Sequence, residues 1–247
     1  MSAYEALAGA YDGLTWDIPY EKILGFIEAV LQEAGKKPET VLDLACGTGS
    51  MSVLLAQRGY RVLGADISEE MLTVAAEKAA ELPDNPPYFI RQPMQRLRLP
   101  EPVDLVVCLL DSLNYLPGPE ECVSTFHRVY QALRPGGCFL FDINTPCKLK
   151  ALDGQIFLDE TDDTYCVWRA EFDAQENRCY YGMDLFRRCG ALWERSFEQH
   201  REYAFEPQKL EKWLTDAGFF RVCQYGDRAF RRPAEDEQRI YFAAFKE

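Results

Sequence analysis

The sequence predicts an α/β protein: a doubly wound, mostly parallel sheet of seven strands with helices on both faces, carrying an inserted antiparallel β subdomain. Three observations predict it. Short apolar runs alternate with stretches of helical period from residue 20 to residue 143. The rhythm then breaks, and residues 156–205 hold aromatic, strand-like runs with no clean helical stretch. It returns at 207–217 with a helix, followed by two last strands. Strands alternating with helices pair in parallel, because each crossover helix must pack back on the sheet, and the right-handed crossover rule leaves few other topologies.

In chain order, the first 18 residues are mixed and aromatic and predict a short helix leading into a loop. Residues 20–34 place Ile23, Leu24, Ile27, Val30 and Leu31 at helical spacing, stopped by Gly35 and Pro38. Residues 40–45 predict a buried strand, 50–58 a helix capped by Gly59, and 60–65 a second strand. Ser68 then caps a helix running to about residue 82. Strands three, four and five fall at 88–91, 103–109 and 138–143, with a helix at 120–133 ended by RPGG. In the insertion, IFLDE, YCVWRAEF, RCYYGMDLFRR and ALWERSFEQHREYAF are separated by turn signals at 175–177 and 189–190. The last strands fall at 219–225 and 239–245. The chain thus divides into an N-terminal segment (1–36), a core (37–149 with 206–247) and an insertion (150–205). The insertion binds substrate, pairs two copies of the chain, or does both; its aromatics also suit an ordinary core.

Composition narrows the function. Apolar content of 47% over 247 residues supports a sizeable core. A net charge of −13 without a basic run argues against nucleic acid or an anionic membrane as the main partner. Nine cysteines without a C-x-x-C pair fit a reducing cytoplasm, and their spacing holds no metal-ligand pattern. No signal peptide or membrane span is expected, since no apolar run approaches ~18 residues.

In an open parallel sheet, ligands bind beyond the carboxyl ends of the strands. Gly47 and Gly49 follow the first strand, Asp66 ends the second, Asp111 follows the fourth, and residues 142–145 end the fifth. The glycines permit a tight turn and close backbone approach. Asp66 lies about where a carboxylate accepts bonds from two ribose hydroxyls. Each feature alone has a plainer use, the glycines as a turn and Asp66 as a partner for a helix dipole. Together they favour a ribose-bearing ligand. A dinucleotide fingerprint would need a glycine where this chain has Ser52, and no P-loop lysine follows. Asp43 and Asp66 would repel a pyrophosphate, while Asp43 suits an ammonium group. A ligand with ribose and adenine but no phosphate fits better.

These residues carry a resemblance. LDLACGTGS followed by LGADIS resembles the first two motifs of the class I S-adenosylmethionine (SAM)-dependent methyltransferases, whose fold is Rossmann-like with an antiparallel last strand. VDLVVCLLDSLNYL is similar to that family's fourth-strand motif, LRPGGCFLFDIN to its fifth-strand segment, and LTDAGF to its C-terminal part. The likeness covers roughly residues 37–146 and 205–246. YEALAGAYDGLTWDIPY resembles the N-terminal lid of small-molecule members, and the insertion resembles that of members modifying amino sugars or glycine.

The resemblance implies S-adenosylmethionine as cofactor. Asp43, Ala45, Gly47 and Gly49 would surround its amino-acid portion, Asp66 would hold the ribose, and Ile67 and Met71 would pack on the adenine. Leu109 would lie near the sulfonium, and Tyr11 and Tyr20 would close over the cofactor. Tyr4, Tyr11, Trp16 and Tyr20 suit a lid and a simple aromatic core equally well. The family often has an acidic residue facing the adenine amine; here Pro93 stands near that position, leaving Met94 or Gln95 to substitute.

The implied activity is methyl transfer to nitrogen or oxygen of a small molecule, with the chain supplying proximity and alignment worth ~7–11 kcal/mol. Asp111, Asn144 and Tyr11 are the candidate catalytic residues, with Asn114, Tyr115, Asp142 and Thr145 near them. His200 is a candidate base if the insertion folds over the pocket, whereas His127 lies on a helix as a surface or core residue. A methyltransferase acting on tRNA or protein and a non-catalytic SAM-binding regulator are the rival readings, and an NAD-dependent oxidoreductase is a distant one.

Overall fold

The computed structural model describes Ala8 and residues 11–247, so Tyr4 and most of the expected first helix lie outside the described residues. The core strands are β1 (Thr40–Leu44), β2 (Arg61–Asp66), β3 (Tyr88–Arg91), β4 (Val103–Cys108), β5 (Leu133–Asn144), β10 (Arg221–Tyr225) and β11 (Arg239–Phe245). Between β5 and β10 comes an antiparallel sheet of β6 (Ile156–Glu160), β7 (Thr164–Asp173), β8 (Arg178–Cys189) and β9 (Leu192–Tyr203). The helices are α1 (Tyr11–Leu14), α2 (Tyr20–Glu33), α3 (Ser50–Gln57), α4 (Glu69–Ala80), α5 (Pro119–Ala132), α6 (Pro146–Ala151) and α7 (Pro207–Ala217).

The seven-stranded sheet runs β10-β11-β5-β4-β1-β2-β3 and the inserted sheet β6-β7-β8-β9. β11 is antiparallel to both neighbours, and the other pairings in the large sheet are parallel, as expected. Successive side chains of a strand point to opposite faces. Leu42 and Leu44 therefore join the core under α5 and α7, which holds Phe126, Phe139, Phe141, Leu210, Phe219 and Phe242. Val41, Leu105 and Val107 face the other way and pack with Ile23, Ile27 and Leu31 of α2 and Leu55 of α3. Cys108, Cys122, Cys138, Cys166 and Cys179 are buried, as small hydrophobes.

Two elements depart from expectation. β5 begins at Leu133, five residues before the expected start at 138, with a register shift against Val103/Leu105. Pro135 forces Arg134 into extended backbone, so RPGG ends α5 and opens the strand at once. The short helix α6 was not read from the sequence, although its signals are local. Thr145 Oγ1 accepts the Lys148 N–H at 3.2 Å, and Pro146 occupies the first turn, where it forfeits no bond. Among the described residues, no helix is long and apolar enough to cross a membrane.

Candidate active site

A cavity of about 510 Å³ opens at the carboxyl ends of β1, β2 and β4. Its floor is the loop after β1, where Ala45, Gly47 and Gly49 adopt φ of 60°, 53° and 75°. Three left-handed residues in five coil the chain tightly. Glycine tolerates this region and alanine does so only at a cost. Gly49 is needed for a second reason, since a Cβ there would meet Ala75 Cβ of α4 at 2.8 Å.

Asp66 organises the loop. Its Oδ2 accepts the Gly47 N–H and its Oδ1 the Ser68 N–H, each at 2.9 Å. A carboxylate offers about four acceptor sites, so roughly half remain for a ligand. Burial raises its pKa, opposed by the bonds from Ser68 and Gly47. Asp43 is more deeply buried and accepts the Ser52 hydroxyl at 2.6 Å. Burial pushes its carboxyl up to about 6, partly countered by that bond. Ser52 thus has a use that glycine could not serve.

The N-terminal segment reaches the cavity through α1 and the start of α2. Tyr11 and Tyr20 both line it. Asp12 pairs with Lys78 at 2.6 Å and accepts the Thr48 hydroxyl at 2.7 Å, and Lys78 also donates to Ser50 at 2.8 Å. These bonds latch α1 onto the loop after β1 and onto α4. Trp16 stays 81% exposed, outside the cavity.

After β4 the backbone is strained: Leu110 and Asp111 have φ of 56° and 52°. Such strain persists only where the surroundings over-determine it. Asp142 does so, accepting the Leu110 N–H at 2.8 Å and the Asp111 N–H at 3.0 Å. Arg239 of β11 pairs with Asp142 and, at 2.6 Å, with Asp111. Asn114 is fully buried and ties three segments, donating to Asn144 and Tyr203 carbonyls at 3.0 Å and accepting the Asn144 N–H at 3.1 Å.

A second cavity of about 390 Å³ adjoins the first, and Tyr11, Tyr115 and His200 line both. The inner face of the insertion supplies Phe157, Trp168, Tyr181 and Met183; the core supplies Asp111, Asn144 and Lys148. Asn144 donates to Glu202 at 2.9 Å and accepts Lys148 at 2.8 Å and Arg239 at 3.1 Å. Burial pushes the Glu202 carboxyl up to about 8, reinforced by Asp111.

Among the described residues expected near the cofactor, all line the first cavity except Trp16, Gln95 and Gly49, the last of which packs against α4 instead. Met94 is in the lining and Gln95 is not. Of the candidate catalytic residues, Tyr11 lines both cavities, while Asp111 and Asn144 line only the second. The insertion does fold over the site and brings His200 there, its Nε2 2.9 Å from Glu198 Oε2. His127 is exposed on α5. Sequence reasoning missed Glu202, Lys148 and Arg239. Glu202 shares a strand face with His200 by the period of two, but both faces of β9 are polar there, which hides the alternation.

An open sheet with a nucleoside-sized cavity at its carboxyl edge defines a ligand-binding α/β protein of the Rossmann-like class. Residues 41–137 match the methyltransferase-domain family. A Bacillus subtilis (strain 168) protein named as a methyltransferase, YqeM, is 33% identical over 245 residues, spanning 98% of this chain and 97% of that one. A crystal structure of an S-adenosylmethionine-dependent methyltransferase from Clostridium acetobutylicum superposes with a TM-score of 0.87 at 27% identity, covering 99% of both chains. The amino pentose methyltransferase CalS10 from Micromonospora echinaspora shares the fold, with a TM-score of 0.77 at 19% identity over 100% of this chain and 98% of that one. The chain belongs to the class I S-adenosylmethionine-dependent methyltransferases.

The first cavity fits that cofactor by its donor set. Asp66 keeps acceptor capacity for a diol, and Ile67 is a large apolar side chain left 58% exposed at the cavity lip beside buried Met71. Among the described residues, the lining carries one guanidinium or ammonium group, that of Arg201, against the carboxylates of Asp43 and Asp66, which disfavours a phosphate there.

Proposed function

We propose that this chain methylates nitrogen or oxygen of a small molecule. The observation that carries the reading is the second cavity, walled by the insertion and adjoining the first, with Tyr11, Tyr115 and His200 in the lining of both. Its volume of about 390 Å³ suits a metabolite-sized acceptor. The amino pentose activity in CalS10's name is consistent with this.

In this reading Asp66 holds the ribose, Ile67 and Met71 the adenine, and Asp43, Ala45 and Gly47 surround the amino-acid end, with Leu109 and Met94 completing the wall. S-adenosylmethionine, when bound, supplies an electrophilic methyl group. Tyr11 and Tyr20 exclude water from above. Asp142 and Arg239 hold Leu110 and Asp111 in their strained turn, which fixes the wall between the cavities. Asn144 aligns Glu202 and Lys148 on the acceptor side. The acidic chain works in the cytoplasm, without nucleic acid or membrane as partner.

The experiment is incubation of the purified protein with methyl-tritiated S-adenosylmethionine and a desalted cell extract supplemented with its small-molecule fraction. Enzyme-dependent label in a soluble product, absent with Asp66→Ala, is expected. Label in the acid precipitate would overturn the small-molecule reading in favour of a macromolecular acceptor.

A further inference from the structure

The second cavity is chemically lopsided. One half is flat and apolar. Phe157 stacks on Trp168 at 4.3 Å with planes 22° apart, Tyr181 meets Trp168 edge-on at 5.6 Å, and Met183 and Leu152 fill beside them. Asp159 accepts the Trp168 indole N–H at 2.9 Å, which sets the ring plane. The other half carries Asp111, Glu202 and Lys148.

The partners of these charges differ. Asp111 is matched by Arg239 at 2.6 Å. Lys148 points its ammonium at Asn144 Oδ1, 2.8 Å away. Glu202 is 4% exposed and is hydrogen-bonded by two neutral groups, Asn144 and Tyr181. Among the described residues, no cation stands within ion-pair distance of its carboxylate; Lys148 attracts it only from the far side of Asn144. A buried carboxylate without a contacting cation is costly, and a protein interior rarely keeps one without compensation. The upward push on its proton affinity, caused first by burial, expresses the same deficit. An incoming cation would remove it; a neutral hydroxyl would not. An anionic ligand would face three carboxylates, those of Asp111, Asp159 and Glu202, against the one ammonium of Lys148.

We infer that the second cavity recognises a small amine on a flat apolar body, with the ammonium held by Glu202 and the body lying along Trp168 and Phe157. This rests on the methyltransferase reading above and narrows its acceptor from nitrogen or oxygen to nitrogen. Glu202 is the specificity-determining residue, and Trp168 sets the shape.

The test is calorimetric titration of the full chain, loaded with S-adenosylhomocysteine, against three matched pairs: benzylamine and benzyl alcohol, phenethylamine and phenethyl alcohol, tryptamine and tryptophol. At least one amine is expected to bind about tenfold or more tighter than its alcohol, and Glu202→Gln is expected to reduce that ratio to within about threefold. Trp168→Leu should weaken both members of the pair alike. No amine preference in the wild-type chain, whether the pairs bind equally or neither registers, overturns the inference. So does a preference that persists in folded Glu202→Gln. If that variant does not fold, the wild-type ratio and the Trp168→Leu ratio decide. Loading with S-adenosylhomocysteine is measured first on the same samples. Tight loading without an amine preference sinks the amine assignment alone, whereas failure to load sinks the methyltransferase reading beneath it.

Discussion

Arg239, on the last strand, reaches Asp111 at 2.6 Å across 128 residues of chain. With Asp142 on the neighbouring strand it fastens the ends of β4, β5 and β11 into one electrostatic unit. The left-handed turn at Leu110 and Asp111 leans on this unit more than on local sequence, because aspartate tolerates that conformation but leucine does not favour it.

Replacing Arg239 by Gln strands two carboxylates in a buried site. The expected cost is about 3–5 kcal/mol, the usual consequence of removing one partner of a buried pair. Urea unfolding monitored by circular dichroism reads it directly, and an unchanged midpoint would show that the unit is dispensable.

Asp43 makes stability depend on pH. Its carboxyl is pushed from 3.8 to about 6 by burial. The folded chain therefore binds the proton more tightly, so this contribution is full below about pH 4 and declines as pH rises through about 6. The loss amounts to about 3 kcal/mol at ~1.4 kcal/mol per pKa unit. Asp43→Asn should match wild type near pH 4 and exceed it near pH 7.5, while binding the cofactor more weakly. A variant less stable than wild type at both pH values would contradict this.

The two loop glycines separate on mutation. Gly49→Ala combines a φ of +75° with a 2.8 Å clash against Ala75 and should cost about 2–4 kcal/mol in stability. Gly47→Ala, with nothing within 4 Å, should cost about 1 kcal/mol. Thermal unfolding compares them, and equal losses would remove α4 packing as the reason for Gly49.

Asp66→Ala should weaken S-adenosylmethionine binding at least tenfold, about 1.4 kcal/mol, in calorimetric titration. Unchanged affinity would end the ribose assignment.

Lys78→Met opens the latch on α1. Half-exposed pairs contribute little to global stability, about 0–1 kcal/mol, so the melting temperature should hardly move. Cofactor dissociation, followed by stopped-flow fluorescence, should accelerate several-fold. Equal off-rates would mean that the Asp12–Lys78 contact does not restrain the lid.

The fold was legible wherever a segment's pattern agreed with its burial. β1, β4 and α5 carry the periods of their environments, and Ser68 caps α4 by accepting the Met71 N–H at 3.2 Å. The first cavity was legible because its residues follow strand ends in sequence, from Asp43 through Asp66 to Leu109. The second cavity was not, because its polar residues come from distant segments. Glu202, Asn144 and Lys148 meet only once β9 crosses the end of β5, and no spacing records that crossing. Arg239 was invisible for a similar reason: an arginine opening a strand reads as an edge charge until its partners are placed.

Tyr11 stands in the wall of both cavities and belongs to a helix of four residues. Any displacement of that helix which uncovers one compartment uncovers the other. Where nucleoside exchange and product departure both await that displacement, a solvent viscous enough to slow it delays both together.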